Sequence, residues 1–133
     1  MAMLSGISVL LVEDEYLIAL DAEQMLRELG AQSVEIISTF DGAYKRTQTG
    51  QFDVAVLDVN INGQLSFPIA GTLKRRKVPV VFATGYSSRE RPIEGFEGGI
   101  CVGKPYSQEV LRKAIAAALK ERAPEPEHTV AAT

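Results

Sequence analysis

The sequence lacks the features of secreted and membrane-spanning proteins. It contains no tryptophan and a single cysteine, Cys101, in 133 residues. One cysteine excludes an intrachain disulfide and favours a reducing compartment, and the apolar residues around Cys101 predict a buried, unreactive thiol. No basic region precedes the first apolar run, and no run approaches the roughly 20 apolar residues of a membrane span. We therefore expect a cytoplasmic protein without a signal peptide or membrane contact.

The charge balance argues against a nucleic-acid partner. The formal net charge is −3, and the short basic spot at Arg75 and Arg76 is typical of a solvated helix end. A dedicated nucleic-acid binder needs clustered lysine and arginine. The apolar fraction of 46% is that of an ordinary globular domain. We expect an N-terminal extension over 1–6, one domain over 7–122 and a disordered tail over 123–133.

Short apolar runs and helical patterns alternate five times along the chain, with no internal repeat. The predicted strands cover 7–12, 34–37, 52–58, 79–84 and 100–102. The predicted helices cover 16–29, about 41–49 with Asp41 as its cap, 65–76, and a last helix that Ser107 caps. The glycine-rich segment 87–99 predicts only a degenerate fourth helix. This alternation predicts an α/β fold, with an open parallel sheet and helices on both faces.

Acidic residues end two of the predicted strands. Glu13 and Asp14 follow the first strand, and Asp58 ends the third. Carboxyl ends of parallel strands meet at one edge of the sheet, where ligands bind. Carboxylates so close together repel unless a cation lies between them. Oxygen ligands, including the backbone carbonyl of Asn60, suit Mg²⁺, so we predict a magnesium site at this edge.

The other strand ends carry groups that suit phosphoryl transfer. Asp58 can act as a nucleophile and form an acyl phosphate. The Lys104 ammonium and the Thr84 hydroxyl can each meet an oxygen of the transferring group, and Pro105 restricts Lys104 to an extended backbone. Taken singly, these residues have ordinary explanations: a turn hydroxyl, a surface cation or a strand-end acid. Their occurrence at the same end of successive strands favours the chemical interpretation.

These residues resemble the receiver domain of bacterial two-component response regulators. The segment 12–15 is similar to its acidic metal-binding corner, Asp58 to its phosphoacceptor, Thr84 to its switch hydroxyl and Lys104-Pro105 to its Lys-Pro pair. The resemblance covers about residues 7–122. It implies a flavodoxin-like three-layer sandwich with strand order 2-1-3-4-5, dependence on Mg²⁺, and phosphorylation by a histidine kinase or a histidine phosphotransfer protein.

The segment Phe82-Ala-Thr-Gly-Tyr86 resembles the "FAT GUY" receivers, which are often single-domain proteins. Receivers commonly carry Met-Pro where this chain has Ile61-Asn62, which predicts a more mobile loop there. They also commonly carry an aromatic residue where Val102 stands. We therefore hypothesise that Tyr86 joins Thr84 in the switch, the alternative being that Tyr86 only packs against its loop. Tyr106 is a second candidate for the aromatic role.

No effector module is recognisable after residue 122. The sequence therefore predicts a single-domain phosphoacceptor that signals by phosphorylation-dependent protein binding, or relays its phosphoryl group. No motif identifies its downstream partner. The sequence is equally compatible with a monomer and with a weak homodimer formed through the last helix. The alternatives are a receiver-like adaptor that acts without phosphorylation, and a phosphohydrolase. The second needs a general acid two residues after the nucleophile, where Asn60 stands.

Overall fold

The computed structural model describes residues 4–85 and 100–122. Five parallel strands form the main sheet: β1 (Ser8–Val12), β2 (Ser33–Ile37), β3 (Val54–Asp58), β6 (Val80–Thr84) and β7 (Ile100–Gly103). Their order is β2-β1-β3-β6-β7. The predicted order 2-1-3-4-5 is therefore confirmed, because β6 and β7 are the fourth and fifth strands of this sheet. Two further strands of the described residues, β4 (Asn60–Ile61) and β5 (Gln64–Leu65), form a separate antiparallel hairpin.

Four helices of the described residues cover the two faces of the sheet. They are α1 (Tyr16–Glu28), α2 (Phe40–Thr49), α3 (Phe67–Arg75) and α4 (Gln108–Arg122). Successive strand residues point to opposite faces: Val9 and Leu11 join the core beneath α1 and α4, whereas Leu10 and Val12 join the core beneath α2 and α3. The central strand β3 is buried along its whole length. The predicted three-layer α/β sandwich is confirmed.

Several helix ends follow from local chemistry. Ser107 caps α4 as predicted, with its Oγ accepting a hydrogen bond from the Val110 N–H at 3.1 Å. The prediction for α2 was wrong by two residues: Thr39 is the cap, and its side chain accepts from the Gly42 N–H at 3.1 Å. Asp41 lies instead in the first turn, where an acidic residue complements the helix dipole. Helix α3 begins at Phe67, two residues after the predicted start, because Leu65 belongs to β5 and Ser66 is the N-cap.

The burial of two residues differs from what the sequence predicted. The prediction of a buried thiol was wrong, since Cys101 is exposed. It lies on β7, an edge strand of the sheet. Its neighbour Val102 belongs to the core on the α4 side, and successive strand residues point to opposite faces, so Cys101 faces the other side. Leu4 is fully buried in the core, and its N–H donates to the Leu29 carbonyl at 3.0 Å. The packed unit therefore includes a residue of the predicted N-terminal extension.

Some predictions fall on residues outside the described ranges. These are the degenerate fourth helix over 87–99, the switch residue Tyr86 and the tail over 123–133. Within the described residues, no helix is both long and apolar enough to cross a membrane.

Candidate phosphoacceptor and metal site

The parallel strands deliver the acidic residues to one edge of the sheet. Val12 pairs in register with Leu57, so Glu13 and Asp14 leave β1 beside the end of β3, where Asp58 stands. One carboxylate oxygen of each of these three acids lies within 4.8 Å of the other two. Glu13 and Asp58 are almost fully buried, with exposed fractions of 2% and 6%. The structure thus brings together the three predicted acidic ligands.

Lys104 reaches this acidic cluster from the end of β7. Its Nζ lies 2.9 Å from Asp58 Oδ2 and 3.2 Å from Glu13 Oε1, so one ammonium group bridges two buried carboxylates. The Lys104 N–H also donates to the Thr84 carbonyl at 2.8 Å, which fixes the backbone at the root of the side chain. Lys104 was predicted to meet an oxygen of a transferring phosphoryl group, and its ammonium lies beside the predicted acceptor. The contact with Glu13 was missed, because nothing in the sequence indicates which acid lies nearer the lysine.

Burial and charge act together on the ionisation of these groups. Burial raises the pKa of Glu13 to about 7, and the nearby Asp58 charge adds to this effect, although the Glu15 N–H and Lys104 oppose it. Burial also disfavours the charged form of Lys104. Its hydrogen bond to Asp58 and the two neighbouring carboxylates outweigh that cost and raise the pKa of Lys104 above its ordinary value. The site therefore holds excess negative charge that one lysine balances only in part.

Thr84 lies at the same edge of the sheet. It ends β6, the strand next to Asp58, and is 2% exposed. Its hydroxyl donates to the Gly85 carbonyl at 2.6 Å. Rotation about a single side-chain bond redirects such a hydroxyl, and a threonine has staggered alternatives available. Thr84 thus lies beside the predicted phosphoacceptor, with its hydroxyl engaged locally.

Asn60 and its neighbours form a feature that the sequence only hinted at. In place of the loop predicted at Ile61-Asn62, residues 60–65 form the β4–β5 hairpin, with Asn62-Gly63 as its turn. Asn60 Oδ1 accepts from the Gly63 N–H at 2.8 Å, so its side chain closes the turn. The Asn62 N–H donates to Asp14 Oδ2 at 2.8 Å. Contacts of this kind join residues far apart in sequence, and no local pattern reveals them.

Tyr106, which the sequence analysis named only as a second candidate for the aromatic role, also lies near the site. It is partly buried in the segment between β7 and α4, where it packs against the core, and a cavity of about 270 Å³ lies between this segment and α1. Glu15, Asp21, Lys104 and Tyr106 supply the polar part of the cavity lining. Burial raises the pKa of the Tyr106 phenol to about 12, and the Glu13 charge contributes in the same direction. The phenol therefore keeps its proton at alkaline pH values at which an exposed tyrosine loses it.

The cluster fits a magnesium ion on chemical grounds. Three carboxylates within one ion's reach supply the oxygen-only donors that Mg²⁺ prefers, and a divalent cation relieves their mutual repulsion. Glu13, Asp14 and Asp58 would hold it. These ligands leave coordination positions for water or phosphate oxygens, as in other sites of phosphoryl chemistry.

Comparison with known proteins identifies the family. A model described as "Response regulator receiver domain" matches residues 9–116. The transcriptional regulatory protein TcrA of Mycobacterium tuberculosis is 30% identical over 126 residues, which are 92% of this chain and 49% of TcrA. The chain thus spans about half the length of the curated relatives it matches.

Solved structures agree in fold. The solution structure of SdrG from Sphingomonas melonis Fr1 is 38% identical with a TM-score of 0.74, over 90% of this chain and 99% of SdrG. A crystal structure of the anti-anti-sigma factor PhyR from Bartonella quintana is 30% identical with a TM-score of 0.75, over 92% of this chain and 52% of PhyR. The chain belongs to the response regulator receiver domain family of two-component systems.

Proposed function

We propose that the chain is a phosphoacceptor that receives a phosphoryl group on Asp58 from a phosphohistidine. The observation that carries this proposal is the bridging position of Lys104, 2.9 Å from Asp58 in a pocket with two further carboxylates. A lysine held there supplies a positive charge at the point where a phosphoryl group would arrive. The buried pocket strengthens that attraction, since charges interact more strongly away from water.

The reaction needs no general base. The Asp58 carboxylate attacks phosphorus as an anion, an O–P bond forms and the P–N bond breaks, and its electron pair returns to the imidazole nitrogen of the donor. When bound, Mg²⁺ would neutralise charge on the phosphoryl oxygens. Lys104 would pair with a second oxygen, and Thr84 would rotate away from the Gly85 carbonyl to donate to a third. The Asn60 carbonyl is proposed as an additional metal ligand.

Asn60 disfavours the alternative that the protein is a phosphohydrolase acting on metabolites. An amide cannot serve as the general acid of an aspartate-based phosphohydrolase. Its Oδ1 is also engaged with the Gly63 N–H. We therefore propose an acyl phosphate that persists long enough to alter protein contacts, and hydrolyses within the same site. The added charge of about −1.5 to −2 is the signal.

Helix α1 offers the surface for a phosphodonor protein. Tyr16 and Leu17 begin this helix directly after the site and are 73% and 78% exposed. Leu20 lies one turn further on the same helix and is also exposed. An exposed apolar patch beside a catalytic pocket is typical of a protein contact. We propose that the histidine-bearing helix of a histidine kinase or phosphotransfer protein binds here.

The output is proposed to be a protein contact or a relay to another histidine. TcrA is described as a transcriptional regulatory protein and PhyR as an anti-anti-sigma factor. Domains similar to this one are thus parts of proteins with different outputs. We propose single-domain action over residues 7–122, with Thr84 and Tyr86 as the switch pair and a monomer or weak homodimer as the active form.

The decisive experiment is phosphorylation in the presence of Mg²⁺ and acetyl phosphate. Intact-mass analysis is expected to detect one added phosphoryl group on the wild type and none on Asp58→Asn. Asp41→Asn is the matched control, because Asp41 is an exposed aspartate in the first turn of α2. A wild-type protein that gains no phosphoryl group would support the phosphorylation-independent adaptor instead, and equal labelling of Asp58→Asn would place the acceptor elsewhere.

A further inference from the structure

The β4–β5 hairpin is a well-defined element next to the acidic cluster. Asn60 pairs with Leu65 and Ile61 with Gln64, and the Ile61 side chain is fully buried in the core. The two turn residues have positive φ angles, 52° at Asn62 and 87° at Gly63. Two positive values in a two-residue turn are typical of type I′ hairpins, for which Asn-Gly is the preferred sequence. The local sequence therefore fixes the direction of the Asn62 N–H.

Asn62 joins the ends of two neighbouring strands. Its backbone N–H donates to Asp14 Oδ2 at 2.8 Å, just after β1. Its side-chain amide donates to the Ser38 carbonyl at 3.2 Å, just after β2. The turn is thus held at two points, and one of them is a carboxylate of the acidic cluster. Hydrogen bonds from amides to charged groups are stronger than those between neutral groups.

We propose that Asn62 is a positioning residue of the metal site, which holds the Asp14 carboxylate against Glu13 and Asp58. Asp14 is less buried than the other two acids, so repulsion from them would turn its side chain toward solvent. The Asn62 N–H occupies a lone pair of Oδ2 and leaves the remaining oxygen sites for a cation. This inference rests on the proposed magnesium site and deepens it, because it assigns an anchor to one ligand.

The contact also links the cation to the hairpin. A cation that fixes Asp14 stabilises the hydrogen bond to Asn62, and by thermodynamic reciprocity the ordered hairpin strengthens cation binding. Exchange of the Asn62 amide hydrogen with solvent requires this bond to open. We therefore expect Mg²⁺ to slow hydrogen exchange at Asn62. This readout is independent of phosphorylation.

The test compares two substitutions at one position. Asn62→Gly keeps the N–H and tolerates the positive φ angle, whereas the branched side chain of Asn62→Val disfavours it and moves the N–H away from Asp14. Isothermal titration with Mg²⁺ alone is expected to give a dissociation constant within about twofold of wild type for Asn62→Gly. For Asn62→Val we expect weakening by about tenfold, from the lost hydrogen bond to a charged group.

Lys77→Val is the matched control. Lys77 is another non-glycine residue with a positive φ angle, 65°, and it lies before β6 at the opposite end of the sheet. Its substitution introduces similar backbone strain without touching Asp14, so Mg²⁺ affinity is expected to stay at the wild-type value. Thermal melts followed by circular dichroism select a temperature at which all variants are folded.

The outcomes separate this inference from the proposed function. Wild-type affinity in Asn62→Val, or equal weakening in Asn62→Val and Lys77→Val, would overturn the positioning role while leaving the magnesium site intact. Unchanged exchange of the Asn62 amide on Mg²⁺ addition would overturn the linkage. A wild-type protein that binds no Mg²⁺ would instead contradict the proposed site itself, and with it the inference that depends on it.

Discussion

The ammonium of Lys104 lies 2.9 Å from the carboxylate of Asp58, and the side chains are 15% and 8% exposed. The same ammonium contacts Glu13, which is still more buried. This ammonium thus bridges two carboxylates that would otherwise repel at short range. The lysine has two consequences: it stabilises the metal-free fold, and it places positive charge where the phosphoryl group is proposed to bind.

Replacement of Lys104 by methionine is expected to destabilise the metal-free protein by about 2 kcal/mol, because it leaves buried carboxylates unpaired. Partial protonation of Glu13 limits the loss, since its pKa is already raised to about 7. Addition of Mg²⁺ is expected to restore more stability to Lys104→Met than to wild type. Urea unfolding with and without Mg²⁺ measures both effects. Lys77 is an exposed lysine far from the site. Lys77→Met is therefore expected to change neither the stability without Mg²⁺ nor its gain on Mg²⁺ addition. A loss of stability equal to that of Lys104→Met would contradict the pairing of Lys104 with the buried carboxylates.

The raised pKa of Tyr106 predicts that the folded protein loses stability at alkaline pH. Its pKa is raised to about 12, mainly by burial, whereas a phenol in the unfolded chain titrates near its ordinary value of about 10. Between these values the unfolded chain has lost the proton and the folded chain retains it. The free energy of unfolding therefore falls as the pH rises from about 10 through 12.

Denaturant unfolding across this pH range is expected to give a smaller fall for Tyr106→Phe than for wild type. Tyr16→Phe, at a 73% exposed position, is expected to retain the wild-type profile. If Tyr106→Phe and wild type lose stability in parallel, the phenol of Tyr106 is not the group responsible.

The start of α2 provides a test of capping. Thr39 Oγ1 accepts from the Gly42 N–H, so Thr39→Ala is expected to lower the free energy of unfolding by about 1 kcal/mol. Thr39→Ser keeps the acceptor and is expected to lose much less. Asp41→Ala removes only a favourable interaction with the helix dipole, typically about 0.3–1 kcal/mol. A larger loss in Asp41→Ala than in Thr39→Ala would show that Asp41 is the cap after all.

The difference between Thr39 and Asp41 illustrates what the sequence can and cannot predict. Both residue types cap helices well, so composition alone does not decide between them. The choice depends on where β2 ends and how the chain turns towards α2, which tertiary packing determines. The alternation of apolar runs with helical patterns, by contrast, predicted the parallel sheet and its two layers of helices, because those patterns report directly on burial.

The candidate site also combines features that the sequence predicts with features that it does not. Topology alone brings Glu13, Asp14 and Asp58 together, because parallel strands end at one edge. The contact between Asn62 and Asp14 joins residues 48 positions apart, and the Asn-Gly turn indicates only the hairpin. The exposure of Cys101 likewise depends on its place in an edge strand, whereas its apolar neighbours suggested burial. Local patterns thus predicted the elements, and long-range geometry determined the contacts.

A substitution at the exposed start of α1 distinguishes docking of a phosphodonor protein from the phosphorylation reaction itself. Leu17 is 78% exposed, and it does not line the cavity beside Lys104. Leu17→Glu is therefore expected to leave phosphorylation by acetyl phosphate unchanged. Phosphotransfer from the cognate phosphohistidine protein is expected to slow by about tenfold in kcat/KM, the typical effect of removing an apolar anchor from a protein interface.

Tyr44→Glu is the control for this substitution. Tyr44 is a partly exposed aromatic residue of α2, the helix on the opposite face of the sheet from α1. Its substitution is expected to leave both reactions at the wild-type rate. Equal slowing of both reactions in Leu17→Glu would mean that the charge perturbs the acidic pocket itself. Unchanged phosphotransfer would move the docking surface away from α1. Only selective loss of transfer from the protein donor assigns the patch to recognition, because acetyl phosphate has too little apolar surface to bury the Leu17 side chain.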